Sequence, residues 1–219
     1  MVTTLYLVRH GVTVGGEQRR YKGSIDVPLS DEGWEQAQKT AAFICTDVAR
    51  RATKAEQEGH TPSRLEAIYA SPLSRALRTA EAICAPCAMH PVVNPALRER
   101  HFGIWEGMTF SEIKEQYPEE FRAWARNPLD HAPVGGETTR EVETRCVRIM
   151  HDLIERHKGQ SLAIVAHGGV NRVMLCNIMG LPLEHIFRIE QDNAAVNIIE
   201  FWEAYPVIKL LNYSPAKHE

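Results

Sequence analysis

Two stretches of the chain are short, almost wholly apolar runs that stop abruptly at histidine and glycine. Leu5 to Val8 leads into Arg9-His10-Gly11, and Ser161 to Ala166 leads into His167-Gly168-Gly169. Short apolar runs bounded by turn residues are the signature of buried strands, and glycine permits the sharp change of direction that a strand end requires. The pattern therefore places His10 and His167 at the carboxyl ends of two strands. Ala67 to Ala70 is a third candidate, and Val196 to Phe201 and Val207 to Leu211 read as late strands with a turn around Tyr205-Pro206.

Between these runs the spacing becomes helical. After Ser30, the residues Trp34, Ala37, Ala41, Phe43, Ile44 and Val48 recur at roughly helical intervals with charge on the opposite side, which predicts an amphipathic helix capped by Ser30. The polar, charge-rich stretch 50–64, with Gly59 and Pro62, reads as an extension of that helix and a surface loop. Ser71-Pro72 has the form of a helix cap followed by proline at the first helical position, which puts Arg75 in the first turn. A loop and further helix are expected over 94–121. Pro133 to Glu137 is a turn into Thr138, whose partner Glu141 completes a capping box for a long helix through Ile154, and Met174 to Ile178 belongs to a helix closed by Gly180 and Pro182. Strands alternating with helices predict an α/β fold of three layers, a mostly parallel central sheet flanked by helices.

Composition narrows the function classes. A chain of 219 residues with 44% hydrophobic and 24% charged residues has the makings of one ordinary globular core, and no repeat or composition shift marks a second domain within 1–219. A formal net charge of -3 and a pI near 6.4 argue against a nucleic-acid binder, which needs a broad basic face, so any anion site must be local. The first residues carry no basic segment and no apolar run long enough for a signal peptide or a membrane span, so a cytoplasmic protein is expected, without membrane contact. Five cysteines, an odd number, suggest free thiols, and Cys84-x-x-Cys87 without a second such pair reads as two thiols at a helix end.

In open α/β sheets, ligands bind beyond the carboxyl ends of the strands, so His10 and His167 converge if their strands are neighbours. Arg9 would join them from the first strand and Arg75 from a helix N-terminus, where free N–H groups favour an anion. Guanidinium groups match phosphate oxygens by paired hydrogen bonds, so two arginines and two histidines make a phosphate pocket.

The ordered set Arg-His-Gly at 9–11, Ser-Pro-Leu-x-Arg-Ala-x-x-Thr-Ala at 71–80, Leu-Arg-Glu at 97–99 and His-Gly-Gly at 167–169 resembles the histidine phosphatase (phosphoglycerate mutase-like) superfamily. Asp26 to Ser30, Phe102 to Gly107, Gly135 to Glu137 and the 193–200 strand extend the resemblance over nearly the whole chain. It implies that His10 attacks phosphorus to form a phosphohistidine, that Arg9, Arg75 and a protonated His167 hold the oxygens, and that Glu99 is the acid and base, with Glu106 as second candidate. It implies a metal-independent phosphomonoesterase with no cofactor, acting on a small phosphorylated metabolite and resembling α-ribazole phosphatases and broad-specificity phosphatases. Thr13, Gly23 and Gly168 fall at the pocket, and Arg19, Arg20 and Lys22 form a basic cluster near its mouth. The chain departs from the family's Arg-His-Gly-Glu-Thr-x-Trp-Asn at Val12, Gly15 and Gly16, which removes the usual asparagine contact to phosphate and leaves Lys22 or Arg20 to replace it. The alternatives are a cofactor-dependent phosphoglycerate mutase, which the short path from Gly107 to Gly135 disfavours, and a phospho-ligand or protein-binding module that keeps the fold without turnover. A homodimer through the late strands stays open.

Overall fold

The protein is described by a computed structural model covering residues 2–18, 20–59, 61–62 and 64–217. In chain order its elements are β1 (Thr3–Arg9), α1 (Asp31–Gln57), β2 (Leu65–Ala70), α2 (Ser74–Cys84), β3 (Val92–Val93), α3 (Phe110–Gln116), α4 (Pro118–Arg126), α5 (Thr139–Arg156), β4 (Ser161–Ala166), α6 (Gly168–Met179), β5 (Val196–Phe201) and β6 (Pro206–Tyr213). The strands form one sheet in the order β3-β2-β4-β1-β5-β6. From β3 to β1 every pairing is parallel, and β5 runs antiparallel to both β1 and β6.

Residues alternate between two hydrophobic layers along the central strands. Leu5 and Leu7 of β1, with Leu162 and Ile164 of β4, pack against Val142, Cys146 and Met150 of α5 and Val170 and Met174 of α6. Tyr6 and Val8, with Ala163 and Val165, face Ala41 and Ile44 of α1 and Ala76, Ala80 and Ile83 of α2. Both faces are thus covered, which is why β1 and β4 read as continuous apolar runs in the sequence.

Most helix boundaries follow local signals. The Ser30 side chain accepts the Gly33 N–H at 3.1 Å to cap α1, and α1 runs on to Gln57 as its polar extension predicts. Thr138 and Glu141 form the expected capping box of α5, and α6 ends at Gly180 with φ +64°. The start of α2 is a correction. Ser71 does not cap it; the helix begins at Ser74, whose backbone N–H donates to the Asp26 carboxylate at 2.8 Å. Ser71 instead turns its hydroxyl toward His167, at 2.8 Å from Nε2, so a long-range partner outcompetes the local cap. The exposed two-residue β3 is a further departure, since a run that short carries no alternation to read. All five cysteines are free; Cys84 ends α2 in the core and Cys87 is exposed, as two thiols at a helix end. No helix among the described residues is long and apolar enough to cross a membrane.

One close approach fixes the turn after β1. The Val12 carbonyl accepts the Ser30 N–H at 3.0 Å and the Val12 N–H donates to Gln36 Oε1 at 3.0 Å, laying residues 11–13 on the first turn of α1. A Cβ on Gly33 would sit 1.9 Å from the Val12 carbonyl oxygen, and one on Gly11 would sit 2.3 Å from the Gly33 carbonyl oxygen, so only glycine fits at either position. Gly33→Ala must push backbone against backbone in an otherwise well-packed region. We expect it to destabilise the fold by about 1–3 kcal/mol, lowering Tm by about 2–4 °C per kcal/mol, and to weaken phosphate binding because Gly11 follows His10. A variant with unchanged Tm and unchanged phosphate affinity would show that the turn has room to relax.

Candidate active site

β1 and β4 are neighbours with Arg9 opposite Ala166, so the residues that follow them, His10 and His167, emerge side by side. Their ring centroids lie 5.1 Å apart at an interplanar angle of 62°. His10 Nδ1 is 2.7 Å from the Gly11 carbonyl oxygen. A carbonyl only accepts, so Nδ1 carries the proton and Nε2 keeps a lone pair. Burial, and after it the positive charges of Arg9, Arg75 and Lys22, hold the His10 pKa well below the usual 6.5, so the ring is neutral.

The two arginines are held by backbone carbonyls. Arg9 Nη1 donates to the Gln191 carbonyl at 2.6 Å. Arg75, in the first turn of α2 as expected, donates from Nη1 to the Ile25 carbonyl and from Nη2 to the Gly23 carbonyl, each at 2.8 Å. Gly23 adopts φ +48°, and a Cβ there would meet Glu106 Oε1 at 2.2 Å and the Arg100 carbonyl at 2.9 Å. This close packing brings the Gly23 carbonyl to Arg75. Gly168 allows a comparable approach, since a Cβ on it would be 3.3 Å from Arg9 Nε.

His167 is fully buried, and the protonated donor expected of it is not the state of the ring in the absence of phosphate. Burial first, then His10, Arg75 and Arg9, push its pKa well below 6.5, so without an anion beside it the ring is neutral. Its Nε2 meets Ser71, while among the described residues Nδ1 has no hydrogen-bond partner, and neither has the buried Arg9 Nε. Ser71 is a site residue that sequence reasoning assigned elsewhere. Nothing in its local pattern distinguishes a helix cap from a hydroxyl that reaches a histidine 96 positions away.

Glu99 lies on the wall of the same cavity as Arg9, His10 and Arg75. Its Oε1 accepts the Arg100 N–H at 2.9 Å and its Oε2 accepts the Gly169 N–H at 3.2 Å, which anchors it at the N-terminus of α6. Glu106, the second candidate, accepts the Ser24 and Phe102 N–H groups at 2.7 and 3.2 Å and thereby shapes the loop that holds Arg75. Lys22 and the buried Thr13 reach the cavity together: Lys22 Nζ donates to Thr13 Oγ1 and, at 3.0 Å, to the Val14 carbonyl. Burial and then Arg75 lower the Lys22 pKa from its usual value. Arg20 also lines the cavity, but its guanidinium is committed to Glu112 at 2.7 Å and to the Gly107 carbonyl at 2.8 Å, so it does not join the cluster. Arg19 lies outside the described residues. Among the described residues no group of three or more His, Cys, Asp or Glu side chains could hold a metal ion.

Two buried neutral histidines make stability depend on pH. In the unfolded chain each titrates near its ordinary pKa of about 6.5. Below that pH the unfolded state binds more protons than the folded one, so stability falls as pH drops and is fully present above it. For each histidine the slope approaches about 1.4 kcal/mol per pH unit between its unfolded and folded pKa values. We expect Tm in an inert, phosphate-free buffer to fall on acidification from about pH 7 to about pH 5, less steeply in His10→Gln. A wild-type Tm that rises over this range would contradict neutral histidines.

The comparisons with known proteins agree with this geometry. The family model for the histidine phosphatase superfamily (branch 1) matches residues 5–214. Phosphoserine phosphatase 1 of Hydrogenobacter thermophilus is 30% identical over 208 residues, covering 95% of this chain and 91% of that protein. The adenosylcobalamin/alpha-ribazole phosphatase of Escherichia coli is 26% identical over 209 residues, 95% of each chain. Among solved structures, Bacillus stearothermophilus YhfR superposes with a TM-score of 0.77 at 31% identity, over 95% of this chain and 96% of that one. The chain belongs to the histidine phosphatase superfamily, branch 1.

Proposed function

We propose that the protein is a phosphomonoesterase in which His10 is the nucleophile and Glu99 the general acid and base, acting on a small phosphorylated metabolite. The observation that carries this reading is the state of His10: neutral, with Nδ1–H fixed on the Gly11 carbonyl and Nε2 free, beside the buried Arg75 and the partly buried Arg9. A neutral imidazole with its second nitrogen so fixed is a competent nucleophile near neutral pH.

In this mechanism the Nε2 lone pair attacks phosphorus in line as the ester P–O bond breaks. Glu99 delivers its proton to the departing alkoxide oxygen. Water then attacks the phosphohistidine, Glu99 takes its proton, the N–P bond breaks and orthophosphate leaves with His10 neutral again. Little covalent work falls to the remaining groups, which position the phosphoryl group and stabilise its charge. Arg9 and Arg75 suit that task because their hydrogen-bond partners are carbonyls, so neither guanidinium is tied up in a carboxylate hydrogen bond. With the Ser71 hydroxyl hydrogen on Nε2, neutral His167 offers Nδ1–H as a further donor, and a dianion beside the ring raises its pKa toward protonation. Lys22, held by Thr13 at the cavity, takes the part of the absent asparagine.

Purified wild-type protein quenched during turnover of a labelled phosphomonoester should carry acid-labile, base-stable phosphate, and His10→Ala should carry none and turn over no substrate while keeping its Tm within a few degrees. Near-wild-type activity in His10→Ala would end the nucleophile assignment, and phosphate binding without turnover in the wild type would favour a binding module. Glu99→Gln should slow an alkyl phosphate by about 10²-fold or more, yet slow 4-nitrophenyl phosphate far less, because nitrophenolate leaves without a proton. Equal losses on both esters would count against general acid catalysis by Glu99.

A further inference from the structure

Glu99 stands on a segment that apolar packing does little to hold. From Asn94 to His101 the chain makes a single tight turn, Pro95–Leu97, and Leu97 is the one buried residue. Glu99 also lines a second, smaller cavity of about 280 Å³, together with Arg98, His101 and Glu137, so part of its surroundings is hollow.

One guanidinium fixes this backbone instead. Arg145, on α5, donates from Nη1 to the carbonyls of Ala96 and Arg98 at 2.8 and 2.7 Å, and from Nη2 to the carbonyl of Glu99 at 3.2 Å. Its remaining N–H groups go to the Glu137 carboxylate, Nε to Oε1 at 2.9 Å and Nη2 to Oε2 at 3.0 Å. All the donors of the guanidinium fork are thereby used. Glu137 grips the next residues of the same segment. Its Oε2 accepts the His101 N–H at 2.9 Å, its own N–H donates to the His101 carbonyl at 2.8 Å, and its carbonyl accepts Arg100 Nε at 2.8 Å. Burial alone would raise the Glu137 pKa, but Arg145 and the His101 N–H hold it below the usual carboxylate range, so the pair is ionised at neutral pH.

Glu99 lines the main cavity, whereas Arg145 and Glu137 do not. The Glu99 carboxylate is itself located by the Arg100 and Gly169 N–H groups, and it lies so close to α6 that a Cβ on Gly169 would sit 2.7 Å from Oε1. That fit leaves little slack, and a misplacement of about 1 Å at a reacting group costs about 10²-fold in rate.

We propose that Arg145 is the positioning residue of the general acid: anchored on Glu137, it clamps the carbonyls of Ala96, Arg98 and Glu99 so that the Glu99 carboxyl reaches the ester oxygen. It touches neither the phosphoryl group nor the alcohol. The proposal rests on the reading of Glu99 as the acid and adds the pair that places it. Lysine cannot take over this role, because a single ammonium lacks the planar fork needed to serve a carboxylate and several carbonyls together.

A positioning role makes the loss depend on the leaving group, which a merely structural role would not. Misplacing the acid slows esters whose alkoxide must be protonated and spares those that leave as nitrophenolate. The test is kcat/KM of Arg145→Lys for ethyl phosphate and 4-nitrophenyl phosphate, alone and in the Glu99→Gln background, with inorganic phosphate as competitive inhibitor. This parameter reports the transfer to His10 and not the later hydrolysis. We expect kcat/KM for ethyl phosphate to fall about tenfold or more, that for 4-nitrophenyl phosphate to fall far less, and the phosphate inhibition constant to stay as in wild type. In Glu99→Gln, adding Arg145→Lys should cost ethyl phosphate turnover nothing further, since both changes remove the same contribution. Glu137→Gln should follow the same pattern more weakly, and it carries the test if Arg145→Lys does not fold. Equal losses on the two esters, weakened phosphate inhibition, or a further loss in Glu99→Gln overturns the positioning role and leaves the phosphatase reading standing. Equal losses in Glu99→Gln itself remove the general acid and this proposal with it, and absence of turnover and of phosphoenzyme in wild type overturns the phosphatase reading as well.

Discussion

Everything at this site follows from packing two guanidinium groups beside two imidazoles with backbone carbonyls, and not carboxylates, as their hydrogen-bond partners. Arg9 and Arg75 satisfy their N–H groups on the carbonyls of Gln191, Gly23 and Ile25. Those partners fix geometry yet cancel little charge. Burial first, and the neighbouring positive charges after it, hold both histidines neutral, which suits one to attack and the other to donate. The same charges make the cavity end attractive to a dianion, because fixed charges act more strongly where water is excluded. Arginines with structural roles elsewhere contrast with this pair: Arg51 bridges Asp47 and Glu200, and Arg145 pairs with Glu137.

The fold supplies that arrangement through a few rigid joints. Parallel pairing of β1 and β4 sets the histidines in register. Mutual contact of Gly11 and Gly33 presses the turn after His10 onto α1. Asp26 caps α2 while its neighbours Gly23 and Ile25 hold the Arg75 side chain, so one short segment fixes both the helix that carries Arg75 and the guanidinium itself. Glu106 braces that segment from below by accepting the Ser24 N–H.

Much of this was legible in the sequence where the signal is local. Continuous apolar runs ending in His-Gly reported β1 and β4 because both faces of those strands are covered, and the Thr138–Glu141 pair reported the start of α5 because a capping box is contained in four consecutive residues. Local signals misled where a distant group competes. Ser71 serves His167 and leaves the cap of α2 to Asp26, 48 residues from Ser74. Arg20 sits in the basic cluster of the chain but answers to Glu112 in space, and the protonation of His167 depends on neighbours that only the fold assembles.

The two halves of the cavity come from different kinds of chain. The phosphate end is drawn from segments scattered from Arg9 to Gly168, whereas Phe102, Trp105, Phe110, Phe121 and Trp124, which line the rest of the cavity, lie in one contiguous stretch between β3 and α5. A substitution within that stretch leaves untouched the β1–β4 register that aligns the two histidines. The architecture thereby keeps the groups that handle phosphate apart from the groups that meet the rest of a ligand, so that either set can change while the other stays in place.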